Sequence, residues 1–171
     1  MFRIIQQFSL GLLLMLVLAA CASPQKATTN AATEPANAIY EVQVKEGVSY
    51  QDVIDSLKSV SEGMNFVNPA NFPIGEHMKA RGIDPQGIKE VHSFCNLSMG
   101  TDIFLDHPEF LVFAPCRVAL YEKQNKLYIG LARPTIDLKS IKNPTARAQK
   151  AARQLEDALI LLVTKASKGE I

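Results

Sequence analysis

The sequence predicts an α+β fold of two layers, an antiparallel sheet with helices on one face, including a long C-terminal helix. Three observations point there. Residues 113–132, FAPCRVALYEKQNKLYIGLA, alternate apolar and polar positions on either side of a polar KQNK turn, the pattern of a β-hairpin. Residues 39–63 read as a strand followed at once by a helix. Near the C-terminus, Ala148, Ala151, Ala152, Leu155, Ala158, Leu159, Leu162 and Val163 fall on one helical face. So long a stripe needs an equally long partner, and an antiparallel sheet with one dry face supplies it.

The elements follow in order. Residues 39–44, IYEVQV, put Tyr40, Val42 and Val44 on one face and Ile39, Glu41 and Gln43 on the other, as in a half-buried strand. Ser49 stands three residues before Asp52 in a capping-box arrangement, Val53, Ile54, Leu57 and Val60 form a helical face, and Gly63 is the stop. A short strand is expected at residues 65–68, NFVN, then a Pro-punctuated loop and one or two helical turns over residues 76–81, ended by Gly82. Residues 88–95, IKEVHSFC, read as a strand, and residues 96–105 as a short helix broken by Asp106, His107 and Pro108. In the hairpin, Cys116, Val118 and Leu120 share the face that meets the helices, as do Leu127, Ile129 and Leu131 on the second strand. The final helix is predicted to be capped by Asn143, with Pro144 in the first helical position.

The opposite sheet face carries Arg117, Ala119 and Tyr121, then Tyr128, Gly130 and Ala132, and is expected to include His92 and Phe94. It is less polar than a solvated face, so a homodimer or partner contact is expected there.

The chain opens MFRIIQQFSLGLLLMLVLAAC: one positive charge at Arg3, an apolar run over residues 10–18, then Ala19 and Ala20 before Cys21. This is the three-part layout of a secretory signal peptide, and the run falls short of the roughly 20 residues a membrane-spanning helix needs. Leu18-Ala19-Ala20-Cys21 resembles the lipobox of bacterial lipoproteins. That resemblance implies cleavage before Cys21 and a membrane anchor made of acyl chains on Cys21. Ala22 in place of aspartate implies the outer membrane of the cell envelope, facing the periplasm. The expected organisation is a signal peptide at 1–20, a lipidated flexible tether at 21–38, whose residues lack large apolar side chains, and a single α+β domain at 39–171. Lys and Arg number 18 against 17 Asp and Glu, and loss of Arg3 evens them, which leaves no footprint for nucleic acid.

Cys95 and Cys116 are the cysteines left in the domain. If residues 88–95 pair antiparallel with residues 113–121, the two approach each other on one layer. In an oxidising compartment a disulfide is then expected. Closing a loop of about 20 residues stabilises by roughly 3 kcal/mol in the chain-entropy picture. Free buried thiols, or a thiolate site for copper or heme with Met99 and His107 nearby in sequence, are the alternatives. His92, three residues from Cys95 in a strand, projects from the opposite face. No tight C-x-x-C spacing, nucleophile elbow, Gly-rich phosphate loop or pair of carboxylates is present, so a catalytic site is not the expected reading.

His92 to Tyr128, HSFCNLSMGTDIFLDHPEFLVFAPCRVALYEKQNKLY, resembles the family catalogued as domain of unknown function 302. The resemblance rests on Phe94-Cys95-Asn96, on Asp106-His107-Pro108, on the strand Pro115-Cys116-Arg117-Val118-Ala119-Leu120-Tyr121-Glu122, and on Lys126-Leu127-Tyr128. It implies a small α+β domain similar to one copy of the TATA-binding-protein-like β-α-β4-α arrangement and inclined to dimerise, with no established activity and no catalytic residue to carry over. Cysteine at both 95 and 116 departs from many members. The function expected is that of a non-enzymatic, lipid-anchored domain that binds a small ligand or a protein partner, with Asn96, Arg117 and Tyr121 as the ligand-binding candidates. The alternative is a redox or metal-handling envelope lipoprotein that uses Cys95 and Cys116.

Overall fold

The computed structural model describes residues 37–171; the expected signal peptide, lipidation at Cys21 and most of the expected tether fall outside them. β1 (Ile39–Gln43) leads into α1 (Tyr50–Gly63), and Ser49 caps the helix: its side chain accepts from Asp52 N–H at 3.1 Å while Asp52 accepts from Ser49 N–H at 2.8 Å. β2 (Asn71–Phe72) and α2 (Ile74–Lys79) follow, then β3 (Lys89–Phe94) and α3 (Leu97–Asp106), capped by Asn96. A 3₁₀ segment (Pro108–Phe113) and a cis Ala114–Pro115 bond lead into β4 (Cys116–Lys123) and β5 (Lys126–Ala132). α4 (Pro134–Asp137) and a short 3₁₀ turn precede α5 (Ala146–Ala166). No helix among the described residues is long and apolar enough to cross a membrane.

The five strands form one antiparallel sheet in the order β1-β5-β4-β3-β2. The predicted hairpin is present, with Gln124 and Asn125 both at positive φ, the conformation of a two-residue type I′ turn. Val118, Leu120, Ile129 and Leu131 are fully buried on the inner face. α5 presents Ala148, Ala152, Leu159, Leu162 and Val163 to them and packs against α1 and α3. The alanines bring the helix backbone close to the sheet, and α1 and α3 flank it in the same layer.

Three local expectations are corrected. The strand at residues 65–68 shrinks to a single bridge between Val67 and Cys95, and pairing resumes only at Asn71–Phe72. Pro69 has no N–H to give the ladder and Pro73 ends it, so this sheet edge stays short. α2 starts two residues earlier than predicted, behind Pro73. The cap of α5 is Thr145, whose side chain accepts from Ala148 N–H at 3.1 Å, whereas Asn143 turns through φ +53° ahead of it. Thr145 also takes tertiary partners at the C-terminal end of α3: its N–H donates to Nε2 of the capping residue His107 at 3.0 Å and its hydroxyl to Asp106 at 2.6 Å.

Candidate functional site

β3 pairs antiparallel with β4, as expected, but in a register that reassigns its faces. Phe94 stands opposite Cys116, His92 opposite Val118 and Glu90 opposite Leu120. Cross-strand partners share a face. His92 and Phe94 therefore look into the helix layer and not onto the open face: Phe94 is 1% exposed and His92 6%. Cys95 falls one residue beyond the ladder, where it pairs with Val67, so the two cysteines are not ladder partners on one layer.

The inward turn of Glu90 and His92 creates a polar chain at the seam between α1 and the sheet. His92 Nε2 lies 2.8 Å from Glu90 Oε1, and the hydroxyl of Tyr50, the first residue of α1, donates to both Glu90 oxygens at 3.0 Å. Burial, with the Glu90 carboxylate beside it, pushes the Tyr50 hydroxyl up to about 12, so Tyr50 stays a proton donor throughout the physiological range. The chain separates two grooves. Tyr50 and Glu90 border one of about 570 Å³ beside α2. His92 borders the other, of about 460 Å³, with Leu57, Phe66 and Phe94 as its apolar floor and Asn68 and Asn71 on its rim. Sequence reasoning passed over this chain. Its signal was Glu90-x-His92 in a strand, a spacing that puts a carboxylate and an imidazole side by side on one face.

The residues singled out from sequence do not converge. Asn96 is buried and structural: its Oδ1 accepts from Met99 N–H at 3.1 Å, capping α3, and its Nδ2 donates to the Met64 carbonyl at 3.1 Å. Arg117 and Tyr121 lie on the open face as predicted. There the Tyr121 ring stacks on Tyr128 at 6.2 Å, its hydroxyl donates to Glu41, Lys123 pairs with Glu41 at 2.6 Å, and Lys123 Nζ sits 4.2 Å over the Tyr128 ring.

Both cysteines are free thiols. They line one small cavity of about 20 Å³ together with Phe94, Phe104, Phe110 and Asp137. That is room for about one water. Burial pushes the Cys116 thiol up to about 12, with Cys95 and Asp137 adding to it, and burial raises Cys95 as well. Met99 and His107 do not border this cavity. Both ring nitrogens of His107 are engaged, Nε2 by Thr145 and Nδ1 by Glu109 at 3.3 Å. Among the described residues no three His, Cys, Asp or Glu side chains converge as a metal site.

Comparison with known proteins bears on the fold and the family. A crystal structure titled uncharacterized conserved protein DUF302 from Bacillus stearothermophilus superposes with a TM-score of 0.69 at 20% identity, covering 77% of this chain and 99% of that one. An uncharacterized protein of Aquifex aeolicus (strain VF5) is 31% identical over 80 residues, 47% of this chain. The chain spans about half of that relative's length, 49%. The model of the family described as domain of unknown function DUF302 matches residues 40–162, which takes in every strand of the sheet and most of α5. This chain belongs to the DUF302 family.

Proposed function

We propose that this chain is a lipid-anchored domain of the bacterial envelope that binds a small ligand in the groove between α1 and β3. One observation carries the reading: His92 is 6% exposed, is held through Nε2 by Glu90, and has no hydrogen-bond partner for Nδ1 among the described residues, although that atom is not sealed. A ring nitrogen left unpaired and open to an apolar-floored groove is a place where a ligand can make a directed hydrogen bond. The volume of about 460 Å³ lies in the range of small-molecule sites. Acyl chains on Cys21 would hold the domain at the periplasmic side of the outer membrane, with the tether spacing it from the surface.

A fragment screen read by amide shifts in the ¹⁵N-labelled protein tests this. Hits should perturb Ile54, Phe66, His92 and Phe94, and hits confined to other surfaces would end the proposal. Acylation is checked separately by the mass of the mature N-terminal peptide, which a Cys21→Ser change should return to that of the unmodified chain.

The shared cavity of Cys95 and Cys116 favours a second reading, a thiol pair that is oxidised in the envelope. Intact mass before and after reduction decides it: a gain of two hydrogens marks a bridge. We place a homodimer contact on the open sheet face, where the hydroxyls of Tyr121 and Tyr128 are already paired to Glu41 and Gln43. Such a face presents aromatic ring planes and asks for few new hydrogen bonds on burial. Sedimentation of wild type against Tyr128→Glu reads it out.

A further inference from the structure

Resting on the groove reading above, we infer that the groove takes a neutral hydroxylated aromatic ring, its hydroxyl donating to Nδ1 of His92 and its ring lying along the apolar wall of Ile54 and Val67. The hydrogen-bond polarity comes first. The Tyr50 hydroxyl donates to both Glu90 oxygens at 3.0 Å, so the carboxyl oxygens stand as acceptors at this junction. The proton between Glu90 and His92 therefore sits on Nε2, and in the neutral ring Nδ1 is left with a lone pair. What completes the site is a donor on the ligand.

The surroundings define the rest of that ligand. Leu57, Phe66 and Phe94 are packed beneath the groove, and the half-buried Ile54 and exposed Val67 supply its accessible apolar wall, a surface suited to a flat ring. Lys58 and Glu62, one helical turn apart on α1, both border the groove and carry opposite charges, so the rim has no net sign to hold an ion. Asn68 and Asn71 offer the rim both donors and acceptors. Asn71 is the ladder partner of His92, which places an amide beside the imidazole on the same face. A volume of about 460 Å³ accommodates one or two fused rings.

The test uses the full chain in detergent micelles, with protein-free micelles as the blank, and the emission of 2-naphthol. The protein has no tryptophan, so naphthol fluorescence is read without overlap. Three probes separate the possibilities: 2-naphthol, the donor-less 2-methoxynaphthalene and the anion 2-naphthoate. The expected result is 2-naphthol bound about tenfold more tightly than 2-methoxynaphthalene, as one added hydrogen bond to the imidazole nitrogen gives. His92→Leu should abolish that preference while the methoxy compound still binds. Because His92 is buried, Glu90→Gln serves as a second variant: it keeps the volume, frees the imidazole tautomer, and should shrink the preference severalfold. Equal binding of naphthol and its methyl ether overturns the donor assignment but leaves the groove. Preference for 2-naphthoate overturns the neutral class. No binding by any of the three in a protein that retains its circular dichroism overturns both this inference and the groove reading.

Discussion

Phe94, not Cys95, stands opposite Cys116 in the β3–β4 ladder. The consequence is an unequal pair of thiols: Cys116 belongs to the strand and backs onto the aromatic cluster, whereas Cys95 sits just past the end of β3 in a single bridge with Val67. Since the thiolate is the reactive species, burial that raises a thiol's pKa slows its alkylation. In the reduced native protein at pH 8, iodoacetamide should therefore label Cys95 at least several-fold ahead of Cys116, and guanidinium should equalise them. Equal native rates, followed by peptide mass spectrometry, would mean that burial does not set the two thiols apart.

Glu156 ties the end of β5 to α5. It is 5% exposed and accepts from Arg133 at 2.7 and 2.9 Å, from Thr135 N–H at 3.0 Å and from the Thr135 hydroxyl. Burial alone would raise its pKa, but the bonds from Thr135 and Arg133 outweigh that and hold the carboxyl below its ordinary value. Removing one partner strands the other, so Glu156→Ala should cost about 3 kcal/mol in urea unfolding. Glu156→Gln, which keeps an acceptor for Thr135, should cost less. A loss under about 1 kcal/mol for the alanine variant would mean Arg133 finds water instead.

Much of this fold was legible because its signals are periodic. Val118, Leu120, Ile129 and Leu131 alternate, the α5 stripe recurs at helical spacing, and the two patterns need each other; the sheet and its covering helix follow. Alternation separates the faces of β3 but does not say which is inner. Only the register with β4 decides that, and it turned Glu90, His92 and Phe94 inward. The same limit hid the candidate site, because Tyr50 meets Glu90 across 40 residues of sequence. The cap of α5 moved to Thr145 for a similar reason: its preference over Asn143 is reinforced by His107 and Asp106 on another element, partners no local motif records.

The β4–β5 turn offers a stabilising change. Gln124 and Asn125 sit at φ +53° and +58°, where side chains other than asparagine, aspartate and glycine are strained. Asn125→Gly should raise stability by up to about 1 kcal/mol, because Asn-Gly-like chemistry suits the type I′ turn even though glycine costs entropy in the unfolded chain. Gln124→Asn should act in the same direction. The check is the urea midpoint of each variant at an unchanged slope, and a fall in midpoint for both would argue against the turn assignment.

The join between α3 and α5 should be the acid-sensitive part of the domain. Asp106 is bonded by Arg147, by the Thr145 hydroxyl at 2.6 Å and by Arg147 Nε at 3.0 Å, and these bonds hold its pKa down at about 2 against an ordinary 3.8. A depressed folded-state pKa means the unfolded chain binds the proton more readily, so stability from this group is present above about pH 4 and drains away as pH falls to about 2. Asp106→Asn removes the titration while keeping an acceptor for Thr145. Thermal unfolding between pH 2 and 5 should then show a smaller loss of melting temperature for the variant than for wild type, with the two curves converging at the acid end. Parallel curves over that interval would mean Arg147 contributes as much to the protonated as to the ionised form, which its geometry at Asp106 does not allow.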